Sequence, residues 1–404
     1  MDIILYTNSI SPHQLPVALR LAEAGHSFCY VAQGQTTGRR EMGWNTSSRY
    51  PWVLELTAEN KDALLRRVET CDVLLTGVRG DGTLFERRAQ AGKISIYMFE
   101  RWLKPGLGML RLLHPRYLRM TLRVVRLIRC GAVALLPCGV HAAQDMVRLC
   151  GLFGGDWRCL FRAPKLTFAR NPMGQLWLTQ GQGKRYCTEQ MRLWGYFVEP
   201  SERRQRRKQG GTLNILWVGR MLGLKRVDVL MKSVKVLLSE GERIRLRVAG
   251  LGPEKENLKA LAGKWTESGE IMFTPPVPIR EVRGLMQEAD VYVLSSNGEE
   301  GWGAVVNEAM EEGCVVVGTY EAGSSMTMIE NGVNGLLFHS GDVRSLVGHL
   351  RALRNDAFRR QLAEAGQRTA QHVWSAHNAA EKLVGAIEDM TEGAAHNWVY
   401  KIRE

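Results

Sequence analysis

The sequence predicts an α/β protein with two Rossmann-like, doubly wound domains facing one cleft. Three observations carry this expectation. Short apolar runs alternate with helical patterns along the chain. Those runs are continuous rather than alternating, as expected of strands buried on both faces of a parallel sheet. The series occurs twice, and a polar, basic break at Ser201–Gly211 separates the two copies. At 404 residues the chain has room for two or three domains, each able to bury its own core.

The first series opens with a strand over Ile3–Tyr6. A helix is expected near Leu15–Ala24, with Pro16 in its first turn and Gly25 as its stop. Strands are expected at Phe28–Val31, Val73–Thr76, Ile94–Met98 and Ala132–Leu136, with helices between most of them. The run Glu202–Gly211 reads as a solvated linker in preference to a binding site. The second series has strands at Leu213–Val218, Ile244–Ala249, Met272–Phe273, Val291–Leu294, Val315–Val317 and Gly335–Phe338. Helices are expected at Lys225–Leu238, Glu254–Lys264, Glu281–Gln287 and Ala304–Glu312, and a helical tail from Val343 to about Met390. Ligands in such sheets sit at the carboxyl ends of the strands. The stretch Gly151–Gln190 carries several Arg, Lys and Gly residues and resembles nothing that places it.

Composition narrows the partners. The formal net charge is +13, which favours nucleotides, phosphates, nucleic acid or an acidic membrane face. The eight cysteines (Cys29, Cys71, Cys130, Cys138, Cys150, Cys159, Cys187 and Cys314) form no C-x-x-C pair and read as buried thiols of a reducing compartment. The N-terminus shows no basic and apolar leader pattern, and no run approaches the roughly 18 apolar residues of a membrane span. The expected location is cytoplasmic, with peripheral attachment to the inner face of the membrane as an extension.

The most informative segment follows the strand Val291–Leu294 and opens a helix: Glu300-Gly301-Trp302-Gly303-Ala304, with Glu308 further on. Glycines on both sides of Trp302 let the backbone approach a ligand, and a helix start offers free N–H groups. Two carboxylates so placed can each accept hydrogen bonds from sugar hydroxyls. The competing reading is a Gly-rich turn with two surface glutamates.

Glu300-x7-Glu308 within E-G-W-G-x-x-x-x-E-A-M resembles the donor-site signature of the GT4 family of retaining GT-B glycosyltransferases, the group 1 glycosyltransferases. Leu216–Lys225 resembles the V-G-R-L…K segment of that family, Val248–Pro253 its G-x-G-P turn, and Ala322–Gly335 its G-G-x-x-E-x-I…G-x-N-G stretch. The resemblance implies a GT-B fold with an acceptor-binding domain over 1–200, a linker at 201–211 and a donor domain over 212–375. A C-terminal helix over 376–404 would return to the first domain. It implies that Arg220 and Lys225, after Gly219, clamp a diphosphate, for which a guanidinium fork and a mobile ammonium are suited. Glu308 would bind ribose. Glu300 and the amides of Trp302, Gly303 and Ala304 would hold the sugar and phosphate, and Pro276–Pro278 would lie beside the base, with Pro278 as the site residue. Ser324 stands where the family pattern has a second glycine, adding a hydroxyl near the phosphates. The chain contains no Asp-x-Asp pair, so no metal and no cofactor are expected.

The N-terminal half is less like the general family. Ser11-Pro12-His13-Gln14, Phe99-Glu100-Arg101 and Trp194-Gly195-Tyr196-Phe197 resemble a subgroup associated with bacterial surface polysaccharide assembly. His13 then binds an acceptor hydroxyl or the diphosphate, or else touches only water at a helix start. Glu100 orients an acceptor, or is a surface carboxylate. From Arg101 to Gln144 there is no acidic residue, and leucines interleave with the basic residues of Arg101–Arg129. Two readings weigh equally: a surface resting on an anionic bilayer, within reach of a saccharide or polyprenyl-phosphate-linked acceptor, and a core helix with a solvated basic face. The pattern is not that of a nucleic-acid binder.

The expected reaction is hexosyl transfer from a UDP- or GDP-sugar to an acceptor hydroxyl. Retention is implied by the resemblance alone. The alternatives are a GT-B sugar-nucleotide epimerase and a non-catalytic basic membrane-associated protein on the same fold.

Overall fold

The alternating runs resolve, in a computed structural model, into two parallel six-stranded sheets with helices. The structure describes residues 1–34, 50–78, 80, 82–161, 167–170, 176–180, 191–201 and 211–391. The chain divides into two units: Met1–Phe197 with Ala376–Glu404, and Val198–Ser375.

Unit 1 runs β1 (Asp2–Thr7), α1 (Leu15–Glu23), β2 (Ser27–Ala32), β3 (Val53–Glu55), α2 (Lys61–Thr70), β4 (Val73–Thr76), α3 (Thr83–Gln90), β5 (Ile94–Phe99), a 3₁₀ turn (Gly108–Leu113), α4 (Pro115–Arg129), β6 (Ala134–Pro137) and α5 (Val140–Leu152). A further 3₁₀ turn (Trp157–Leu160) precedes the antiparallel pair β7 (Thr167–Arg170) and β8 (Leu176–Gln180). The main sheet has the order β3-β2-β1-β4-β5-β6. β1 is central, with Ile4 opposite Cys29 on one side and Leu74 on the other. All four residues of β4 are buried, which explains its unbroken apolar sequence.

Unit 2 runs β9 (Leu213–Val218), α6 (Val227–Ser239), β10 (Ile244–Ala249), α7 (Lys255–Ala262), α8 (Lys264–Glu267), β11 (Ile271–Thr274), α9 (Ile279–Glu288), β12 (Val291–Leu294), α10 (Val305–Glu311), β13 (Val315–Thr319), α11 (Gly323–Met328), β14 (Leu336–Phe338), α12 (Val343–Ala352) and α13 (Asp356–Arg368). Its order, β11-β10-β9-β12-β13-β14, repeats that of unit 1. Asn355 caps α13 by accepting from the amides of Ala357 and Phe358, both at 3.0 Å. One core cluster gathers Ile215, Trp217, Leu230, Val248, Val293, Val317 and Leu346. The last described helix, α14 (Ala376–Thr391), belongs to unit 1 and packs on α1.

Three differences from the sequence expectations have plain causes. β3 has only three residues, too few for a periodic signal. The hairpin β7–β8 lies in the unplaced stretch Gly151–Gln190, where polar residues interrupt the apolar ones; residues 162–166, 171–175 and 181–190 of it lie outside the described residues. Cys130 is exposed rather than buried, because it stands at the C-cap of α4; Cys187 lies outside the described residues. So do residues 202–210 of the expected linker and 392–404 of the expected terminal helix. The segment before 202 is anchored within unit 2. Ser201 donates from its amide to Glu311 (3.0 Å) and from its hydroxyl to buried Glu312 (2.7 Å), and Arg283 donates to the Glu199 carbonyl (2.9 Å).

Candidate functional site

In unit 2 the strand order reverses between β9 and β12, the place where open α/β sheets bind ligands. The chain leaving β9 is sewn to the turn after β10. Gly219 donates to the Ala249 carbonyl (3.0 Å), and Met221 to the Leu251 carbonyl (2.7 Å). The approach is so close that a Cβ on Gly250 would fall 2.0 Å from the Gly219 oxygen. Arg220 is thereby held on a fixed backbone while its side chain is exposed, with no ion-pair partner among the described residues.

Lys225 ends a 3₁₀ turn, Gly223–Lys225. Its ammonium pairs with the Glu300 carboxylate, both side chains being largely buried. The Ser296 hydroxyl donates to the same carboxylate oxygen (2.9 Å). Ser295 donates to the Lys225 carbonyl (2.8 Å), and the Asn297 amide to the Leu224 carbonyl (2.8 Å). Four contacts thus tie two segments distant in sequence around one lysine–glutamate pair. Arg226, the next residue, is the one non-glycine with positive φ among the described residues, at 47°, and pairs with Asp228 at 3.0 Å. Backbone held in this region costs free energy and is retained where the surroundings enforce it.

The loop Glu300–Ala304 is fastened from below. The Trp302 side chain is 1% exposed and its indole donates to Asn307 (2.8 Å). Its ring sits 5.6 Å from that of Trp374. The indole therefore belongs to the core. Gly303 has φ 87°, a conformation that favours glycine. Ser324 donates from its amide to the Trp302 carbonyl (2.8 Å) and from its hydroxyl to the Gly303 carbonyl (2.9 Å). The fully buried Ser324 hydroxyl thus ties down the loop. Ala304 precedes α10, and Glu308, 9% exposed, lies within it.

Buried Tyr292 registers both carboxylates. Its hydroxyl donates to the Val218 carbonyl, the last of β9, at 3.3 Å. Burial pushes this phenol well above its ordinary pKa, and the negative charges of Glu308 and then Glu300 push it further. Both carboxylates thus act electrostatically on the phenol that is tied to the end of β9. Pro278 stands exposed at the start of α9, beside the edge strand β11. No hydrogen bond or ion pair among the described residues joins it to the Lys225–Glu300 pair.

Unit 1 makes its own cluster. His13 stacks on Tyr196 with ring centroids 5.9 Å apart. The Tyr196 hydroxyl donates to Glu100 (2.8 Å), which follows β5. The Phe197 amide donates to the His13 carbonyl (2.9 Å), and the Gln14 side chain to the Gly195 carbonyl (3.1 Å). Burial, then the Glu100 charge, pushes the Tyr196 phenol well above its ordinary range. The Cys138 thiol is raised for the same two reasons. Tyr196 as the bridge between His13 and Glu100 was not foreseen, because its segment reaches them only by running alongside β6 through isolated pairings of Leu135 with Met191 and Cys138 with Trp194.

Among the described residues, no group of three or more His, Cys, Asp or Glu side chains is placed to hold a metal ion. No described helix is long and apolar enough to cross a membrane.

Comparison with known proteins agrees with this architecture. Residues 198–369 match the family described as Glycosyl transferases group 1. Among curated proteins, a putative colanic acid biosynthesis glycosyltransferase of Salmonella typhimurium, WcaL, is 29% identical over 146 residues, which is 35% of this chain and 36% of that protein. A D-inositol 3-phosphate glycosyltransferase of Nocardioides is 31% identical over 185 residues, covering 42% and 40%. The matches thus span well under half the length of these curated relatives. Among solved structures, Anabaena Alr3699/HepE in complex with UDP superposes with a TM-score of 0.65 at 14% identity, over 96% of this chain and 100% of that one. A glycosyltransferase from Rickettsia africae gives 0.64 at 12%, over 97% and 99%. At that identity the likeness is one of fold, and the fold is GT-B.

Proposed function

We propose that the protein transfers a hexosyl group from a nucleotide-diphosphate sugar, with UDP or GDP as carrier, to an acceptor hydroxyl with retention at the anomeric carbon. The observation that carries this reading is the pairing of Lys225 with Glu300 at the reversal of the unit 2 sheet, where exposed Arg220 has no ion-pair partner among the described residues. Lys225 is held by the Glu300 carboxylate. An arriving diphosphate competes for it, leaving Glu300 to accept a sugar hydroxyl. Glu308, in the first turns of α10, accepts from ribose. The amides from Trp302 to Ala304 face phosphate or sugar oxygens.

In this reading the acceptor oxygen bonds to the anomeric carbon as the bond from that carbon to the phosphate oxygen breaks. The departing phosphate takes the acceptor proton. Negative charge grows on the diphosphate, so Arg220 and Lys225 stabilise the transition state more than the ground state. These two cations serve in place of a divalent metal, and EDTA is expected to leave turnover unchanged. His13 and Glu100 are assigned to the acceptor, a saccharide or polyprenyl-phosphate-linked sugar. The name of the WcaL relative supports a place in surface polysaccharide assembly.

The test is a thermal-shift screen against UDP- and GDP-sugars, followed by turnover. A donor present at about 100 times its Kd raises native-state stability by about 2.7 kcal/mol. Lys225→Ala is expected to abolish transfer and to lose most of the donor-induced shift while keeping the fold. Wild-type turnover in that variant would sink the clamp. Incubation with donor alone separates transfer from epimerisation, which needs no acceptor.

A further inference from the structure

We infer that the exposed ridge Leu107–Leu113 and the outer stripe of α4 form a docking surface for an anionic lipid bilayer. This inference stands apart from the reaction assigned above, since it involves none of the residues placed in either cluster.

The ridge comes first. Leu107, Leu110 and Leu113 are 62%, 61% and 79% exposed. They are spaced by three in and beside the 3₁₀ turn Gly108–Leu113. Side chains at that spacing eclipse one another in a 3₁₀ turn. Three leucines therefore stand in a row in solvent. Single exposed leucines are ordinary, whereas an aligned apolar set marks an interaction surface.

The stripe follows directly. α4 buries Thr121, Val124, Val125, Leu127 and Ile128. Beyond Pro115 at its start, its exposed positions are Arg116, Arg119, Leu122, Arg126 and Arg129, spaced by three or four along one face. The basic segment thus combines both sequence readings: one face is core, and the other is basic with an apolar residue in its midst. Two other arginines of the region are paired with carboxylates, while Arg111 donates to the Trp102 carbonyl (3.2 Å). Arg101 pairs with Asp145 (3.5 Å) and Arg123 with Glu86 (3.4 Å). The four stripe arginines have no carboxylate partner among the described residues; Arg119 and Arg129 donate only to the carbonyls of Pro115 and Phe153.

An aliphatic ridge next to unpaired guanidinium groups fits the boundary between headgroups and acyl chains. The leucines enter the apolar side, and the arginines take lipid phosphates through paired donors. An acidic protein surface would satisfy the charges but leave the leucines in water. A nucleic acid would call for aromatic residues between the cations, and the stripe carries leucine instead.

The experiment is flotation of the purified full chain with vesicles of phosphatidylcholine alone or mixed with phosphatidylglycerol. The chain is expected to float with the mixed vesicles, not with phosphatidylcholine alone, and less at high salt. R116S/R119S/R126S/R129S is expected to weaken partitioning at least tenfold, since each arginine near an anionic surface contributes about fivefold. L107S/L110S/L113S is expected to weaken it as well. A control, K61S/R66S/K264S/R344S, removes as many exposed cations elsewhere and is expected to bind like the wild type. All these positions are exposed, and an unchanged melting temperature confirms the fold; the single variants R116S and R126S serve if the quadruple variant does not fold. The inference fails if the stripe and control variants lose binding equally, which would assign it to net charge. It fails if mixed vesicles are not bound. It also fails if the stripe variant keeps vesicle binding but loses binding to duplex DNA, or if the ridge instead drives concentration-dependent dimerisation abolished by the leucine changes.

Discussion

Arg88 illustrates what one buried cation can organise. It is fully buried in α3, and no carboxylate pairs with it among the described residues. Its guanidinium donates to the carbonyls of Val68 (3.0 Å), Glu69 (2.8 Å), Cys71 (3.0 Å) and Ile94 (2.6 Å), and to the Ser95 hydroxyl (3.0 Å). Those carbonyls close α2 and open β5. Burial pulls the Arg88 pKa down, because the charged form has lost water. Arg88→Met would leave the carbonyls without donors, and a loss of about 3–5 kcal/mol is expected in urea unfolding. Arg87→Met, next to it, breaks only an exposed pair with Glu69 and is expected to cost under about 1 kcal/mol. Equal losses would overturn this account. No helical periodicity separates Arg87 from Arg88, so the sequence hides the difference. Lys225 and Glu300 were legible for the opposite reason, since each sits in a glycine-bearing turn after an apolar strand. Their direct pairing was not legible, because it depends on two strands being neighbours.

At the scale of elements, the loop Glu300–Ala304 owes its shape to α11. Gly303 adopts φ 87°, and a Cβ there would lie 3.1 Å from Leu294 and 3.2 Å from the Ser324 hydroxyl. Gly303→Ala is expected to strain the loop by about 1–2 kcal/mol and to weaken nucleotide-sugar binding about tenfold, with an unchanged circular dichroism spectrum. Undiminished affinity by calorimetry would remove this loop from the donor site. α14 offers a different element-scale test. Lys382 is half-buried there, and burial pulls its pKa down from 10.5 to about 8, opposed by Glu381. The unfolded chain thus binds more protons than the folded one between those values, so this group makes stability rise with pH across that window. Below about pH 8 the full penalty is present. Lys382→Met should therefore stabilise the protein at pH 7, by about 1 kcal/mol after solvent screening, and the gain should shrink as pH rises from about 8 to 10.5. A gain constant from pH 7 to 10.5 would mean that packing, not charge, is responsible.

At the scale of the whole molecule, one topology is used twice. Both sheets follow the doubly wound order, and that class was legible because strands covered on both faces must be continuously apolar. The order of strands was not legible, since apolar runs carry no label for their neighbours. The chain enters unit 2 at Val198 and returns to unit 1 at Ala376, so α14 is remote in sequence from the sheet it protects. Its Leu383 and Ile387 are 3% and 0% exposed, and α14 packs on α1 of the same unit. Ile387→Asp would place a carboxylate in that contact, adding desolvation to the lost burial of an isoleucine, at a cost of about 3 kcal/mol or more. The described core clusters of the two sheets share no residue. Hydrogen exchange followed by mass spectrometry should then show faster exchange in β1, β2 and α1, with protection of β9, β10 and β12 preserved. Parallel loss of protection in both sheets would show instead that the two units unfold as one cooperative body, with α14 as its common clasp.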